Sequence, residues 1–201
     1  CDLNCIMEIE ERLLGYILEV LCDEMRSELE LLGRPAEELK GMKPPFERIT
    51  YDKAVEILNG EGIMFEWGDD ITWTHEKVLT QRFSKPFFLT HFPKGVKAFY
   101  HKPDPERPEV TLSADLLAPE GYGEITGGGQ RIDDLTELLR RMKEENLNPE
   151  DYKWYIDLRR YGSVPHSGFG LGVERTLAWI CKLDHIRDAI AFPRLINRVY
   201  P

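Results

Sequence analysis

Near the start of the chain, Ile6, Ile9, Leu13, Ile17, Val20 or Leu21, and further on Leu31, recur at helical spacing, with Glu8, Glu10, Glu11 and Arg12 between them. The pattern predicts one long helix from about Asn4 to Leu32, ended by Gly33-Arg34-Pro35, whose job is packing against a sheet. Pro44-Pro45-Phe46 reads as a connector. Thr50 is placed to cap a short helix from Asp52 to Leu58, and Gly60-Glu61-Gly62 turns the chain. Thr74 is expected to cap a further helix, His75 to Arg82. From Pro86 the period falls to two. Phe87 to Phe92, Val96 to Tyr100, Glu109 to Ala118 and Gly123 to Thr126 read as strands, with turns at Pro93-Lys94-Gly95 and Pro103 to Pro108. Asp133-Asp134 opens a helix carrying Leu135, Leu138, Leu139, Met142 and Leu147. Pro149 opens another that ends at Tyr161-Gly162. Antiparallel strands, then helices, then a last strand make an α+β chain with no internal repeat and one domain.

That last strand is Gly168-Phe169-Gly170-Leu171-Gly172-Val173-Glu174-Arg175. Alternate side chains of a strand point to opposite faces, so glycines at i, i+2 and i+4 leave one face bare for a flat ring. Phe169, Leu171 and Val173 are expected to point the other way, into the core. The pattern from Arg175 to Cys181 is helical, which puts Arg175 in a first turn, where anions are favoured. The unit reads as an adenine shelf followed by a phosphate arginine. The plainer reading is a glycine-weakened edge strand or bulge. A dinucleotide fingerprint is excluded, because Val173 stands where its third glycine belongs, and no Gly-Lys-Ser/Thr follows to make a P-loop. A second constellation runs from Asp115 through Gly123-Glu124-Ile125-Thr126-Gly127-Gly128-Gly129-Gln130-Arg131. Two acids at neighbouring strand ends can share a hard cation that also takes phosphate oxygens. Glycines let a ligand approach the backbone, and Arg131 offers a planar five-donor fork. By itself this is also how an ordinary glycine turn looks. His75 reads as a surface histidine, and His166 as a turn residue with a structural hydrogen bond. Arg159 and Arg160 end a helix, where cations are favourable in any case, and they could equally touch RNA or pair with acids.

Composition narrows the classes. With 201 residues and 42% apolar content, the chain can bury one core or most of a larger one. A net charge of −10 excludes a general basic surface, so any RNA contact is a local patch or comes from elsewhere. Cys1, Cys5, Cys22 and Cys181 lack metal-finger or redox spacing and are expected as reduced thiols of a cytoplasmic protein. No apolar run reaches about 18 residues, so no membrane span is predicted.

Gly-x-Gly-x-Gly-x-Glu-Arg resembles motif 3 of class II aminoacyl-tRNA synthetases. The stretch from Trp154 to Gly168 resembles the lead-in of the asparaginyl members, and Asp184-His185-Ile186-Arg187-Asp188-Ala189-Ile190 with Phe192-Pro193-Arg194 resembles their C-terminal end. The similarity covers nearly the whole chain. It implies a class II antiparallel sheet flanked by helices. It also implies that residues 1–201 are the C-terminal portion of the catalytic domain, with the anticodon-binding barrel and motifs 1 and 2 absent. The implied activity is ATP-dependent formation of asparaginyl-adenylate and transfer to tRNA(Asn), with Mg2+, in a protein that is a homodimer at full length. The portion alone is expected to be inactive.

The resemblance also assigns roles. Glu124 would meet ATP and Mg2+, with Asp115 beside the metal. Arg131 would reach the substrate side chain, with Gly127 at the substrate. Arg175 would contact the γ-phosphate, while Gly172, Val173 and Glu174 line the nucleotide. Lys97-Ala98-Phe99-Tyr100 resembles a strand bordering the amino-acid pocket. Relatives often carry serine where Gly129 stands, and the interval from Asp115 to Glu124 is slightly longer than usual. An aspartyl enzyme or a truncated paralogue without aminoacylation stays open as an alternative, with the segment Tyr161 to His166 favouring asparagine.

Overall fold

Asp2 starts the first helix, α1 (Leu3–Glu24), its carboxylate accepting the Cys5 amide at 2.9 Å in the computed structural model, which describes residues 1–200. The helix buries Leu3, Ile6, Met7, Glu10, Leu14, Leu18 and Cys22. The expected stripe holds in part: Ile6 is buried and Ile17 and Leu21 pack against the core, but Ile9 and Leu13 are 42% and 37% exposed. α1 is apolar on almost every side, so periodicity alone does not fix its phase, and Glu10 turns out to lie in the core. The single long helix is also two. α1 ends at Glu24 and α2 (Arg26–Leu31) follows Met25, a break that no glycine or proline marks. Arg34, next in the chain, is fully buried and grips Glu120 with both terminal nitrogens, at 2.9 and 2.7 Å. This ties the region before α3 (Ala36–Gly41) to a turn of the sheet.

The sheet has five strands in spatial order β1 (Glu47–Thr50), β2 (Phe87–Thr90), β3 (Ser113–Ala118), β4 (Gly123–Gln130) and β5 (Ser167–Leu171). From β2 to β5 the pairings are antiparallel, as expected; β1 joins β2 in parallel. β1 escaped the pattern reading because only Ile49 of its four residues is buried. A parallel pair needs a crossover, here α4 (Tyr51–Gly60) and α5 (Trp73–Thr80). Thr50 caps α4 as expected. α5 begins earlier than expected, with Thr72 rather than Thr74 as its cap. The His75 ring accepts the Thr72 amide and closes a reciprocal capping box.

Val96 to Tyr100 is a turn, not a strand. Its apolar residues satisfy a different surface: Phe99 packs with Ile132, Leu138, Met142 and Ile156. Leu138 and Met142 come from α6 (Leu135–Glu144), capped by Asp134, Ile156 from α7 (Lys153–Arg160), which follows a 3-10 turn at Pro149–Tyr152, and Ile132 from the segment between β4 and α6. α8 (Val173–Ile180) closes the core with Trp179.

Alternation along the strands separates two cores. Phe88, Ala114 and Leu116 face α1 and α3, while Phe87, Leu89 and Leu117 face α4 and α5. Cys1 and Cys5 are joined in a disulfide, contrary to the expectation of four thiols; the first helical turn brings residues four apart together. Cys22 and Cys181 are free. Among the described residues no helix is long and apolar enough to cross a membrane.

Candidate active site

β3 and β4 stay in register to Leu116↔Thr126 and resume at Leu117↔Glu124, so Ile125 is an extra residue. A bulge of this kind re-aims the side chains of its strand. Ile125 and Thr126 both turn toward α1, where Ile125 joins the core and Thr126 Oγ1 donates to Glu10. Glu124 and Gly127, three residues apart, therefore share the other face with Asp115, the cross-strand partner of Gly127. The fit is close: a Cβ on Gly127 would lie 2.7 Å from Glu124 Oε1 and 3.4 Å from Asp115 Oδ1. Glycine leaves the room in which the two carboxylates converge.

Asp115 Oδ2 receives Lys97 Nζ at 2.5 Å, and its Oδ1 is buried without a partner. Burial pushes this carboxyl up to about 6, with Glu124 adding to the rise and Lys97 opposing it. Glu124 is raised as well, again first by burial. A third acid, Glu76 on α5, accepts the Glu124 amide at 3.0 Å and is also raised by burial. Arg175 Nη1 donates to the Glu124 carbonyl at 3.0 Å and lies 3.9 Å from its carboxylate. Three acids thus face two cations, and the orphaned Asp115 oxygen points to a missing positive partner. Among the described residues no three His, Cys, Asp or Glu side chains enclose a metal by themselves. A cation held by Asp115 and Glu124 would therefore keep positions for ligand oxygens, the habit of Mg2+ beside phosphates.

Arg131 leaves the end of β4 and lies 4.7 Å over the Tyr100 ring. It donates to the Gly168 carbonyl at 3.2 Å and to His101 Nε2 at 3.1 Å. His101 is pushed down to about 4 by burial and then by Arg131 and Lys97, so it is neutral. Its Nδ1 faces the Ala98 carbonyl at 3.3 Å, which only accepts. The proton therefore sits on Nδ1, and Nε2 accepts from the guanidinium. Two of the arginine's five donors are engaged, which leaves the fork a share for a ligand. The segment Lys97-Ala98-Phe99-Tyr100 does border this ground: Lys97 holds Asp115, Tyr100 underlies Arg131 and Phe99 points into the core.

On β5, Gly170 stands opposite Gly127 and Gly168 opposite Gly129. A Cβ on Gly170 would meet nothing within 4 Å, so the face is bare at that position, whereas a Cβ on Gly168 would lie 3.5 Å from Arg131 Nη2 and Gly172 has left the strand to cap α8. Phe169 packs against the α1 core. Val173, expected inward, is 65% exposed, because the chain has already entered α8 with Gly172 as its cap. Glu174 is exposed beside it. Arg175 lies along Gly172, where a Cβ would come within 3.3 Å of it. Gly129 has φ +154°, and a Cβ there would fall 2.7 Å from the Leu112 carbonyl oxygen; this backbone calls for glycine, not serine. His166 Nδ1 faces the Val164 carbonyl at 2.8 Å. Arg159 is buried on Tyr155 and donates to the Ile132 carbonyl at 2.8 Å, while Arg160 pairs with Asp157. Each of the three thus has a partner within the fold.

A cleft of about 510 Å³ adjoins Arg175, lined in part by Trp73, Lys77, Tyr122 and His185. A larger hollow of about 810 Å³ along Ile9, Leu13 and Tyr16 contains none of the converging groups, and the site is placed by those groups rather than by size. Glu76 and His101 went unnoticed in the sequence because their roles come from partners far along the chain.

A strand bare at Gly170, an arginine in the helical turn after it, and one acid on each of β3 and the bulged β4 are groups with which a sheet of this kind could hold a nucleotide. Residues 1–196 match the family described as tRNA synthetases class II (D, K and N), and the chain belongs to that family. Within the family its similarity runs to the asparaginyl branch. It is 53% identical over 200 residues to the asparagine–tRNA ligase of Desulforamulus reducens, spanning 100% of this chain and 47% of that protein. The crystal structure of asparaginyl-tRNA synthetase from Pyrococcus horikoshii complexed with asparaginyl-adenylate has a TM-score of 0.96 at 53% identity, covering 100% of this chain and 46% of that one. The aspartyl tRNA synthetase from Entamoeba histolytica stands at TM-score 0.86 and 31% identity, covering 98% and 41%. The chain spans about half the length of these relatives.

Proposed function

We propose that this chain is the C-terminal part of the catalytic domain of an asparaginyl-tRNA synthetase. The observation that carries the reading is the convergence of Asp115, Glu124 and Arg175 beside the bare face of β5, with Arg131 at the other end of the same strands. In the reaction, a carboxylate oxygen of asparagine bonds to the α-phosphorus of ATP as the bond to pyrophosphate breaks, giving asparaginyl-adenylate. A hydroxyl at the 3′ end of tRNA(Asn) then takes the acyl group and releases AMP. Neither step needs a protein nucleophile; positioning and charge neutralisation supply the acceleration.

The glycine face of β5 takes the adenine, and Gly172, Val173 and Glu174 line the nucleotide. Arg175 holds the terminal phosphate. The fork of Arg131 reads the side-chain amide oxygen of asparagine, oriented by His101 and Tyr100, with Gly127 giving close backbone access. Asp115 and Glu124 would hold Mg2+, which would supply neutralisation of phosphate charge. Identity of 53% to an asparaginyl relative against 31% to an aspartyl one supports asparagine as the substrate. The net charge of −10 supports a tRNA surface supplied chiefly by the rest of the protein, which we read as cytoplasmic and homodimeric.

The test is ATP–pyrophosphate exchange by the full-length protein with asparagine or aspartate. Exchange with asparagine alone is expected; exchange with aspartate alone would overturn the assignment. The isolated chain, lacking the residues that hold the α-phosphate, is expected to show no exchange.

A further inference from the structure

Glu10 is the one charged residue on the buried side of α1, and it is 1% exposed. It meets the sheet from the face opposite Asp115 and Glu124. One of its oxygens accepts from Thr126 Oγ1, and the other is buried with no partner. A buried acceptor left unpaired is destabilising, whereas its neighbours on the stripe, Met7 and Leu14, pack with no such penalty. Core packing alone therefore does not account for an acid here.

Its contact falls on the bulge. Thr126 lies between Glu124 and Gly127, next to the extra residue Ile125. On the other face Glu76 accepts the Glu124 amide at 3.0 Å. The irregular turn of β4 is thus tied from both sides of the sheet, by α5 in front and by α1 behind. A bulge interrupts ladder hydrogen bonds, so side-chain ties of this kind determine where its residues point.

We propose that Glu10 is a positioning residue: through Thr126 it fixes the bulge that aims Glu124 at Asp115, and it thereby sets the affinity of that pair for a divalent cation. The proposal rests on the reading above, in which Asp115 and Glu124 hold Mg2+. Groups behind metal ligands are commonly worth 10- to 100-fold in affinity or activity.

The experiment uses the full-length protein and the variants Thr126→Val, Glu10→Leu, the double variant, and Glu10→Gln. Three quantities are read: thermal stability, the Mg2+ concentration for half-maximal asparagine-dependent exchange, and hydrogen–deuterium exchange of amides 124–127 without nucleotide or metal. Each single apolar variant is expected to raise the Mg2+ requirement roughly tenfold and to loosen amides 124–127. The double variant removes both polar partners, so it should regain thermal stability while keeping the raised Mg2+ requirement. Glu10→Gln, whose carbonyl still accepts from Thr126, should return the requirement to near its original value. A double variant with an unchanged Mg2+ requirement, or single variants that lose stability alone, would overturn the proposal and leave Glu10 a core residue. Absence of exchange in the unmodified protein would defeat the synthetase reading instead. Amide protection at 124–127 would then still decide the positioning role, with unchanged protection counting against it.

Discussion

Replacing Glu10 by glutamine should change how stability depends on pH, and the size follows from its surroundings. Burial, with a smaller push from Asp115 and against the Thr126 hydrogen bond, lifts the Glu10 carboxyl from 4.5 to about 7. The folded protein therefore binds this proton more tightly than the unfolded chain does. The associated stabilisation is complete below about pH 4.5 and is lost as pH rises through about 7. At about 1.4 kcal/mol per tenfold change in proton affinity, the loss comes to about 3 kcal/mol. Glutamine has no proton to lose. Unfolding followed by denaturant or heat from about pH 4.5 to 8.5 should show the variant gaining about 3 kcal/mol on the unmodified protein. For a chain of this size that is roughly 6–12 °C in midpoint. Asp115, Glu76 and Glu124 are also raised by burial and slope the same way; they are present in both proteins and leave the difference to Glu10, apart from the small coupling between it and Asp115. Parallel pH curves for the two proteins would refute the reasoning, because they would mean that Glu10 titrates in the fold as it does in water.

The remaining expectations concern the site itself. Arg175→Ala should slow adenylate formation by about 2–4 kcal/mol of transition-state stabilisation, the scale of one lost charge-stabilising donor; pyrophosphate exchange at the original rate would refute it. Arg131→Leu should raise the KM for asparagine while the KM for ATP holds, whereas an equal rise in both would point to a phosphate role or to misfolding. Gly129→Ser should destabilise the fold by roughly 1–3 kcal/mol, read from its unfolding curve, because its Cβ meets backbone and its φ is positive. A serine variant as stable as the original would show that β3 yields easily.

The glycine strand, the helix after it and Arg175 were legible because period two, a glycine face and a switch to period 3.6 are local signals. Gly170 and Gly127 facing one another across two strands needed only the antiparallel order in addition. What stayed hidden depends on tertiary partners. α1 carries two competing apolar stripes, and only the sheet decides that Leu14 goes in and Leu13 stays out. An acid at position 10, in line with Ile6, Met7 and Leu14, is a signal present in the sequence, but the competing apolar positions Ile9 and Leu13 mask it. Val96 to Tyr100 alternates like a strand, yet it serves a separate core below α6 and α7. Thr72 and Thr74 are equal candidates by type, and His75 settles the cap through a side-chain bond. Glu76 and His101 have no distinguishing neighbours in sequence; their partners lie 48 and 30 residues away.

The extra residue in β4 bears on how such a site can arise. Along a regular strand, facing follows parity: odd positions share one side and even positions the other. Glu124 and Gly127 have opposite parity and nonetheless look the same way, because Ile125 shifts the count between them. No exchange of one side chain for another can move a residue across parity. Only the gain or loss of a position can do so. Were Ile125 paired with Leu117 in a regular ladder, Glu124 would fall opposite Ala118, on the α1 side of the sheet and away from Asp115. The pocket therefore rests on the ladder passing over one position, which no replacement at Asp115 or Glu124 can imitate.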